Sequence, residues 1–213
     1  HLNLGAGRVV YQELARINLA IRTKELEQNP ELIALLQRCK QKGNCLHLIG
    51  LLSDGGVHSH IRHLFALCDI IETYQLPAVC IHAFTDGRDT DPKLGSSFVS
   101  ELLQHIQHQH ITLASVIGRY FAMDRDKRWE RVKKAYDLLV HAKGEITDDP
   151  IGAIEKAYLN GVTDEFIEPL AIAGSGSHRI QDGDAVLFFN FRTDRPRQLT
   201  QVLFQKDMDE YEM

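Results

Sequence analysis

The sequence predicts an α/β fold in which a mainly parallel sheet carries helices on both faces, giving three layers, α/β/α. Two observations support this prediction. Runs of apolar residues without polar alternation are typical of strands that are buried on both faces of a parallel sheet. Segments with helical spacing join these runs in the order expected for alternating strands and helices. The four apolar runs are 45–52, 78–84, 111–117 and 185–190.

The helices are predicted from apolar spacings of three and four residues and from capping residues. The segment 8–22 has this spacing. Asn29 and Pro30 then supply a cap and a first-turn proline for a helix that runs toward Gly43. The remaining predicted helices are 60–74, 96–109, 128–143, 150–159 and 195–204.

Composition is typical of a compact globular protein. The 213 residues are 44% hydrophobic, which is enough to bury the core of a single domain. No apolar run approaches the roughly 18 residues of a membrane helix, and the first residues carry no signal-peptide pattern. We therefore expect a cytoplasmic protein with no membrane partner, and we expect it to act as a monomer. The net charge of -5 argues against a nucleic-acid partner, because such surfaces need a clustered basic face.

Neither the histidines nor the cysteines indicate a metal site. His58, His60 and His63 are spaced two and three residues apart at a predicted helix start, so they do not share one face well. The cysteines form no CxxC pair and no compact disulfide pattern, and we expect free buried thiols. These cysteines are Cys39, Cys45, Cys68 and Cys80.

Polar segments follow all four predicted strands. In a parallel sheet the loops after the strands emerge at the carboxyl edge, where ligands bind in open α/β folds. We therefore expect these four segments to lie together. They are 53–60 (SDGGVHSH), 85–92 (TDGRDTDP), 118–125 (GRYFAMDR) and 191–195 (FRTDR).

Five arginines in these segments should converge in a protein that is acidic overall. Guanidinium groups donate paired hydrogen bonds to phosphate and carboxylate oxygens, so the cluster favours an anionic ligand. The alternative is that Arg–Asp pairs only tie the loops together. The five are Arg88, Arg119, Arg125, Arg192 and Arg195.

His58 and Asp89 are the candidates for proton transfer or for holding a substrate hydroxyl. His58 follows Gly55 and Gly56 in the first loop, and Asp89 follows Arg88 in the second. A structural role for His58 remains an alternative, because a lone histidine more often has one.

At these residues the sequence resembles a known family. Four segments are similar, in order and spacing, to the transferase domain of cofactor-independent phosphoglycerate mutases, and the resemblance covers nearly the whole chain. The segments are LLSDGGVHSHIRHLFAL, HAFTDGRDTDP, GRYFAMDRDKRWERVKKAYD and FFNFRTDR.

The resemblance implies the interconversion of 3-phosphoglycerate and 2-phosphoglycerate through a phosphoserine intermediate, assisted by two manganese or similar divalent ions. Asp89 would be the general base and acid toward the glycerate hydroxyls, and the arginines would hold carboxylate and phosphate. The substrate-contacting residues would be His58, Arg88, Asp89, Arg119, Arg125, Arg192 and Arg195.

The same resemblance assigns the nucleophilic serine, the Asp and His metal ligands and a substrate-contacting lysine to positions outside this chain. The serine would lie just upstream of His1, and the metal ligands would belong to a phosphatase-like domain of the same polypeptide, which would be this chain's partner. Residues 1–10 would then be a linker from that domain, and residues 11–213 the phosphate-transfer domain. No metal ligand is expected in the chain itself.

Two other functions are compatible with the loops. One is a non-enzymatic module that binds phosphorylated three-carbon acids. The other is a stand-alone phosphoryl transferase with Asp89 or His58 as its nucleophile. Neither accounts for the initial segment HLNLGAGR, which resembles the passage into the transferase domain of the mutases.

Overall fold

The computed structural model describes residues 12–174 and 179–205, together with Met208, Tyr211 and Met213. The predicted linker 1–10 and the start of the predicted helix 8–22 lie outside the described residues. The strands, helices and contacts of the structure are those of these residues.

The centre of the fold is a six-stranded sheet with the order β4-β5-β3-β2-β1-β6. The neighbouring strands β3, β2, β1 and β6 are mutually parallel, whereas β5 is antiparallel to β3 and parallel to β4. The predicted α/β fold with a mainly parallel sheet is therefore confirmed. The strands are β1 (Leu46–Leu51), β2 (Val79–Thr85), β3 (Ile111–Gly118), β4 (Glu145–Thr147), β5 (Leu170–Ile172) and β6 (Ala185–Phe188).

Helices connect the strands and begin or end where the capping residues predict. The side chain of Asn29 accepts hydrogen bonds from the amides of Glu31 and Leu32, and Gly43 ends the same helix with a φ of 72°. The helices are α1 (Glu13–Arg22), α2 (Pro30–Lys42), α3 (Ile61–Tyr74), α4 (Gly95–Ile106), α5 (Arg119–Ala122), α6 (Trp129–His141), α7 (Pro150–Leu159) and α8 (Arg197–Thr200).

Each face of the sheet has its own apolar core. Leu46 and Leu48 of β1 contribute to a core with α2, α3, α4 and α7. Ile49 and Leu51 of the same strand contribute to a second core with α5, α6 and α8. Successive strand residues point to opposite faces, so a continuous apolar run can supply both cores. This arrangement confirms the predicted three layers.

The structure differs from the sequence prediction at three places. The short strands β4 and β5 were missed, and β5 makes the outer part of the sheet antiparallel to the centre. Helix α5 begins directly after β3, where a loop was expected. The last predicted helix is a short α8 followed by a π-helical turn, Gln201–Gln205. Within residues 12–174 and 179–205, none of the helices combines the length and apolar character that crossing a bilayer requires.

Candidate functional site

The segments that follow β1, β2, β3 and β6 meet at the carboxyl edge of the sheet because these four strands are parallel neighbours. Backbone hydrogen bonds join them directly. The carbonyl of His58 accepts from the amides of Phe191 (2.9 Å) and Arg192 (3.3 Å), which ties the β1 loop to the β6 loop. Arg195 Nη1 donates to the carbonyl of Met123 at 3.3 Å, which ties the β6 loop to the segment after β3.

Arg119 is the buried centre of the first cluster. Its Nη1 lies 2.5 Å from Asp86 Oδ1 and 2.6 Å from Asp89 Oδ2, and its side chain is 4% exposed. Ser53 Oγ donates to Asp86 Oδ2 at 2.7 Å. One guanidinium therefore holds the loops after β1, β2 and β3 in a single hydrogen-bonded unit.

Asp86 is held in its ionised form. Burial alone would raise the pKa of Asp86. The hydrogen bonds from Ser53 and from the amide of Asp89, together with the positive charge of Arg119, outweigh burial and lower it. The carboxylate of Asp86 therefore carries a negative charge close to Asp89.

Glycine at two positions allows the loops after β1 and β2 to pack closely against neighbouring segments. A Cβ atom on Gly55 would lie 2.9 Å from the carbonyl oxygen of Asp89. Gly87 has a φ of 69°, and a Cβ there would lie 2.9 Å from Asp164 Cβ. Only glycine fits either position without displacing its neighbours.

His58 is buried beside Asp89, and neither ring nitrogen makes a hydrogen bond to the described residues. Its Nε2 lies 3.7 Å from Asp89 Oδ2, which is too long for a hydrogen bond, and Nδ1 has no hydrogen-bond partner among the described residues. Burial and then the charge of Arg119 lower the pKa of His58, with Asp89 opposing them. The imidazole is therefore neutral at pH 7, with Nδ1 enclosed by protein and Nε2 facing Asp89.

Asp194 is the centre of the second cluster. Arg125 Nη1 lies 3.1 Å from Asp194 Oδ2, Arg192 Nε lies 2.9 Å from Oδ1, and Arg195 Nε lies 3.9 Å from Oδ2. Burial would raise the pKa of Asp194, but the charge of Arg192 and the hydrogen bond from Arg125 lower it. Three guanidinium groups share one carboxylate, so the cluster keeps an excess of positive charge.

The excess of positive charge also affects the pKa of Arg195. Burial and the nearby charges of Arg125 and Arg119 lower the pKa of Arg195. Arg88 stands apart from both clusters, since it is 60% exposed and its Nη1 lies 3.5 Å from Glu165 Oε1. The structure thus joins His58, Asp89 and Arg119 in one cluster and Arg125, Arg192 and Arg195 in another, with Arg88 at the rim.

Comparison with known proteins identifies the family. The family model described as "BPG-independent PGAM N-terminus (iPGM_N)" matches residues 17–213. The chain belongs to this family. A 2,3-bisphosphoglycerate-independent phosphoglycerate mutase of Bacteroides fragilis is 52% identical over 210 residues, which are 99% of this chain and 42% of that protein. The enzyme of the same name from Flavobacterium psychrophilum is 51% identical over 216 residues, covering 100% of this chain and 43% of its own.

A solved structure shows the same fold. The crystal structure of Leishmania mexicana phosphoglycerate mutase at low cobalt concentration matches with a TM-score of 0.84 and 30% identity, over 95% of this chain and 39% of that one. The chain therefore spans less than half the length of the relatives that it matches.

The site of this iPGM_N chain does not suit a divalent cation. Asp86 and Asp89 are both engaged by Arg119, and Asp194 lies among three arginines. An ion here would lie among guanidinium groups and would have to displace them from their carboxylates. The described carboxyl-edge residues are suited to anions.

Sequence reasoning missed three residues that organise this iPGM_N site. Ser53, Asp86 and Asp194 lie within the predicted loops but were not singled out. A signal was present for the two aspartates, because each lies next to arginines within its loop, and a buried arginine requires an acidic partner. Nothing in the sequence distinguishes Ser53 from Ser59, which instead donates to the carbonyl of Leu51.

Proposed function

We propose that this chain is the phosphate-transfer domain of a 2,3-bisphosphoglycerate-independent phosphoglycerate mutase, and that it binds 3-phosphoglycerate and 2-phosphoglycerate at the carboxyl edge of the sheet. The observation that carries the proposal is the electropositive cluster round Asp194 beside the buried, neutral imidazole of His58, in a member of the iPGM_N family. Residues 11–213 would form this domain, acting in the cytoplasm as part of a monomer.

The arginines would hold the two anionic groups of the substrate. Arg125 and Arg192 are each about half exposed, so their unused N–H groups can turn to a phosphate or a carboxylate. Charge-assisted hydrogen bonds of this kind are among the strong ones. Arg195, which is less exposed, would add charge, and Arg88 would complete the grip from the rim.

Asp89 would accept a proton from the substrate hydroxyl and later return one. The substrate hydroxyl that attacks the phosphoryl group must lose its proton, and the oxygen that gives up the phosphoryl group must gain one. Asp89 Oδ2 is fixed by Arg119 and faces His58 Nε2, so a hydroxyl placed beside it could give up its proton to this oxygen and later recover one. Neutral His58 would orient that hydroxyl.

The phosphoryl acceptor and the divalent ions would come from the remaining part of the enzyme. We propose two manganese or similar ions there, which would stabilise negative charge on the transferring phosphoryl group. The residues of this chain would bind the glycerate, orient it and exchange its protons.

Binding of phosphoglycerate tests the proposal directly. We expect weak binding that weakens further with salt. Arg192→Ala or Arg195→Ala should each cost about 1.5–3 kcal/mol, or about 10- to 150-fold in affinity, because a hydrogen bond to a charged group is lost. Isothermal titration calorimetry with 3-phosphoglycerate measures both effects.

Arg38→Ala is the matched control, since Arg38 is exposed on α2 and far in sequence from all four loops. It should bind as the unchanged chain does. Undiminished binding in both site variants would mean that the cluster of Arg125, Arg192 and Arg195 does not form the substrate site.

We also expect the 213-residue chain by itself to bind phosphoglycerate without converting one isomer to the other. The resemblance assigns the acceptor serine and the metal ligands to the other part of the enzyme. A coupled assay with added Mn²⁺ should show no turnover above background. Enzyme-like turnover would instead favour a stand-alone phosphoryl transferase.

A further inference from the structure

Three potential metal ligands meet at the amino edge of the sheet, opposite the site described above. Cys45, His47 and Cys80 each direct one ligand atom to a common point, and these atoms all lie within 4.8 Å of one another. His47 and Cys80 are buried, and Cys45 is partly exposed. From the sequence, free thiols and no metal ligand are expected at these positions.

The strand pairing explains why these side chains meet. Cys45 immediately precedes β1 and lies two residues before His47, so both point to the same face. His47 is the register partner of Cys80 on β2, and side chains of paired residues lie side by side. The three ligands are therefore placed by two central strands of the sheet.

We propose that Cys45, His47 and Cys80 form a structural binding site for a thiophilic divalent cation of the Zn²⁺ type. Zn–S bonds of about 2.3 Å imply a sulfur–sulfur edge of about 3.8 Å in a tetrahedral site. The two Sγ atoms are 3.4 Å apart without an ion, so they would have to separate by only a few tenths of an ångström. Binding would release one proton from each thiol and leave two thiolates and a neutral imidazole on the ion.

The surroundings of His47 suit this role. Its Nδ1 lies 2.9 Å from His82 Nε2, and His82 Nδ1 lies 2.7 Å from Ser115 Oγ. A ligating histidine commonly donates its other N–H to a hydrogen-bond acceptor, and His82 Nε2 would be that acceptor here. The hydroxyl of Ser115 can either donate or accept, so both histidines can change tautomer without moving and leave the lone pair of His47 Nε2 for the ion.

Asp184 supplies negative charge at the open side of the cluster. Its Oδ2 lies 3.2 Å from His47 Nε2, close to the edge of about 3.3 Å that two ligands at about 2.0 Å from one tetrahedral ion would have. The amides of Cys45 and Gln181 fix this carboxylate, each at 3.0 Å. A water held by Asp184 would complete the coordination.

Titration of the reduced chain with Co²⁺ tests the site, because tetrahedral cobalt thiolate has intense visible and near-ultraviolet absorption. We expect one such Co²⁺ per chain, displaced by Zn²⁺, and a rise in melting temperature with either ion, since a ligand that binds only the folded state stabilises it. Cys80→Ser and Cys45→Ser should each abolish the thiolate-to-cobalt band. His82→Gln, which changes only the outer partner, should weaken binding by about 10- to 100-fold.

Cys68→Ser is the matched control, because Cys68 is a buried cysteine on α3 outside this cluster. It should keep the full cobalt spectrum. The proposal is overturned if the reduced chain gives no thiolate-to-cobalt band, or if the band survives in the Cys45 variant, whose partly exposed position tolerates serine. A chain that loses two hydrogens in mass on air exposure and binds no Co²⁺ after reduction would assign the pair to a disulfide.

Discussion

Arg119→Ala should lower the free energy of unfolding by about 3–5 kcal/mol, because it leaves the buried carboxylate of Asp86 and the partly buried carboxylate of Asp89 without their arginine partner. Asp86 and Asp89 both bond to the same Nη1 atom, at 2.5 and 2.6 Å. Neither has a second arginine or lysine at salt-bridge distance among the described residues, and His58, which lies 3.7 Å from Asp89, is neutral at pH 7. Urea denaturation at neutral pH measures the loss.

The loss of unfolding free energy caused by Arg119→Ala should become smaller as the pH falls. In the unchanged chain the folded pKa of Asp86 is lowered, so its contribution to stability is present above the unfolded pKa and disappears as the pH falls through the folded one. Without Arg119 the folded pKa of Asp86 rises, and protonation then relieves the unpaired carboxylate at a higher pH. Urea denaturation should therefore show a smaller difference in the free energy of unfolding between the variant and the unchanged chain at mildly acidic pH than at neutral pH.

Arg125→Ala is the control for this prediction, since Arg125 also pairs with an aspartate but is 49% exposed. Its removal should cost no more than about 1 kcal/mol. In the double variant Arg119→Ala/Asp86→Asn, part of the lost stability should return, because one uncompensated charge is gone. Equal effects of the Arg119 and Arg125 substitutions would contradict the role of Arg119 as the buried link between three loops.

The elements that position the site follow from the sequence because each has a local physical cause. The strands β1, β2 and β3 are continuous apolar runs that must be buried on both faces, and Asn29 with Gly43 defines the ends of α2. The parallel alignment of these strands then places the loops that follow them at one edge of the sheet. The family resemblance rests on those same loops.

The parts that could not be predicted depend on contacts distant in sequence. Strands β4 and β5 have three residues each, too few for a periodicity, and exist because they pair with each other and with β3. The pairing of Asp194 with Arg125, 69 residues away, and the distance between His58 and Asp89 arise only from packing. The same holds for Cys45 and Cys80, which are separated by 35 residues.

Asp89→Asn should lower the rate of phosphoglycerate isomerisation by about 100- to 10,000-fold, the usual contribution of a general acid–base group. The prediction rests on the proposed function. Asparagine keeps an oxygen that can accept from Arg119, so the loop and the phosphoglycerate affinity should change little, but the amide cannot take up a proton. The effect should therefore fall on kcat and leave the dissociation constant nearly unchanged.

A chimera provides the assay, with this chain replacing the matching segment of the Bacteroides fragilis enzyme, to which it is 52% identical. Calorimetry on the chain alone gives the affinity, and coupled turnover of the chimera gives kcat. Asp91→Asn is the matched control, because Asp91 lies in the same loop, is exposed and, among the described residues, accepts only from the amide of Lys93. If Asp89→Asn lost affinity and kept kcat, Asp89 would be holding the substrate, and the proton would have to pass through another group, of which His58, with Nε2 3.7 Å from Asp89 Oδ2, is the first candidate.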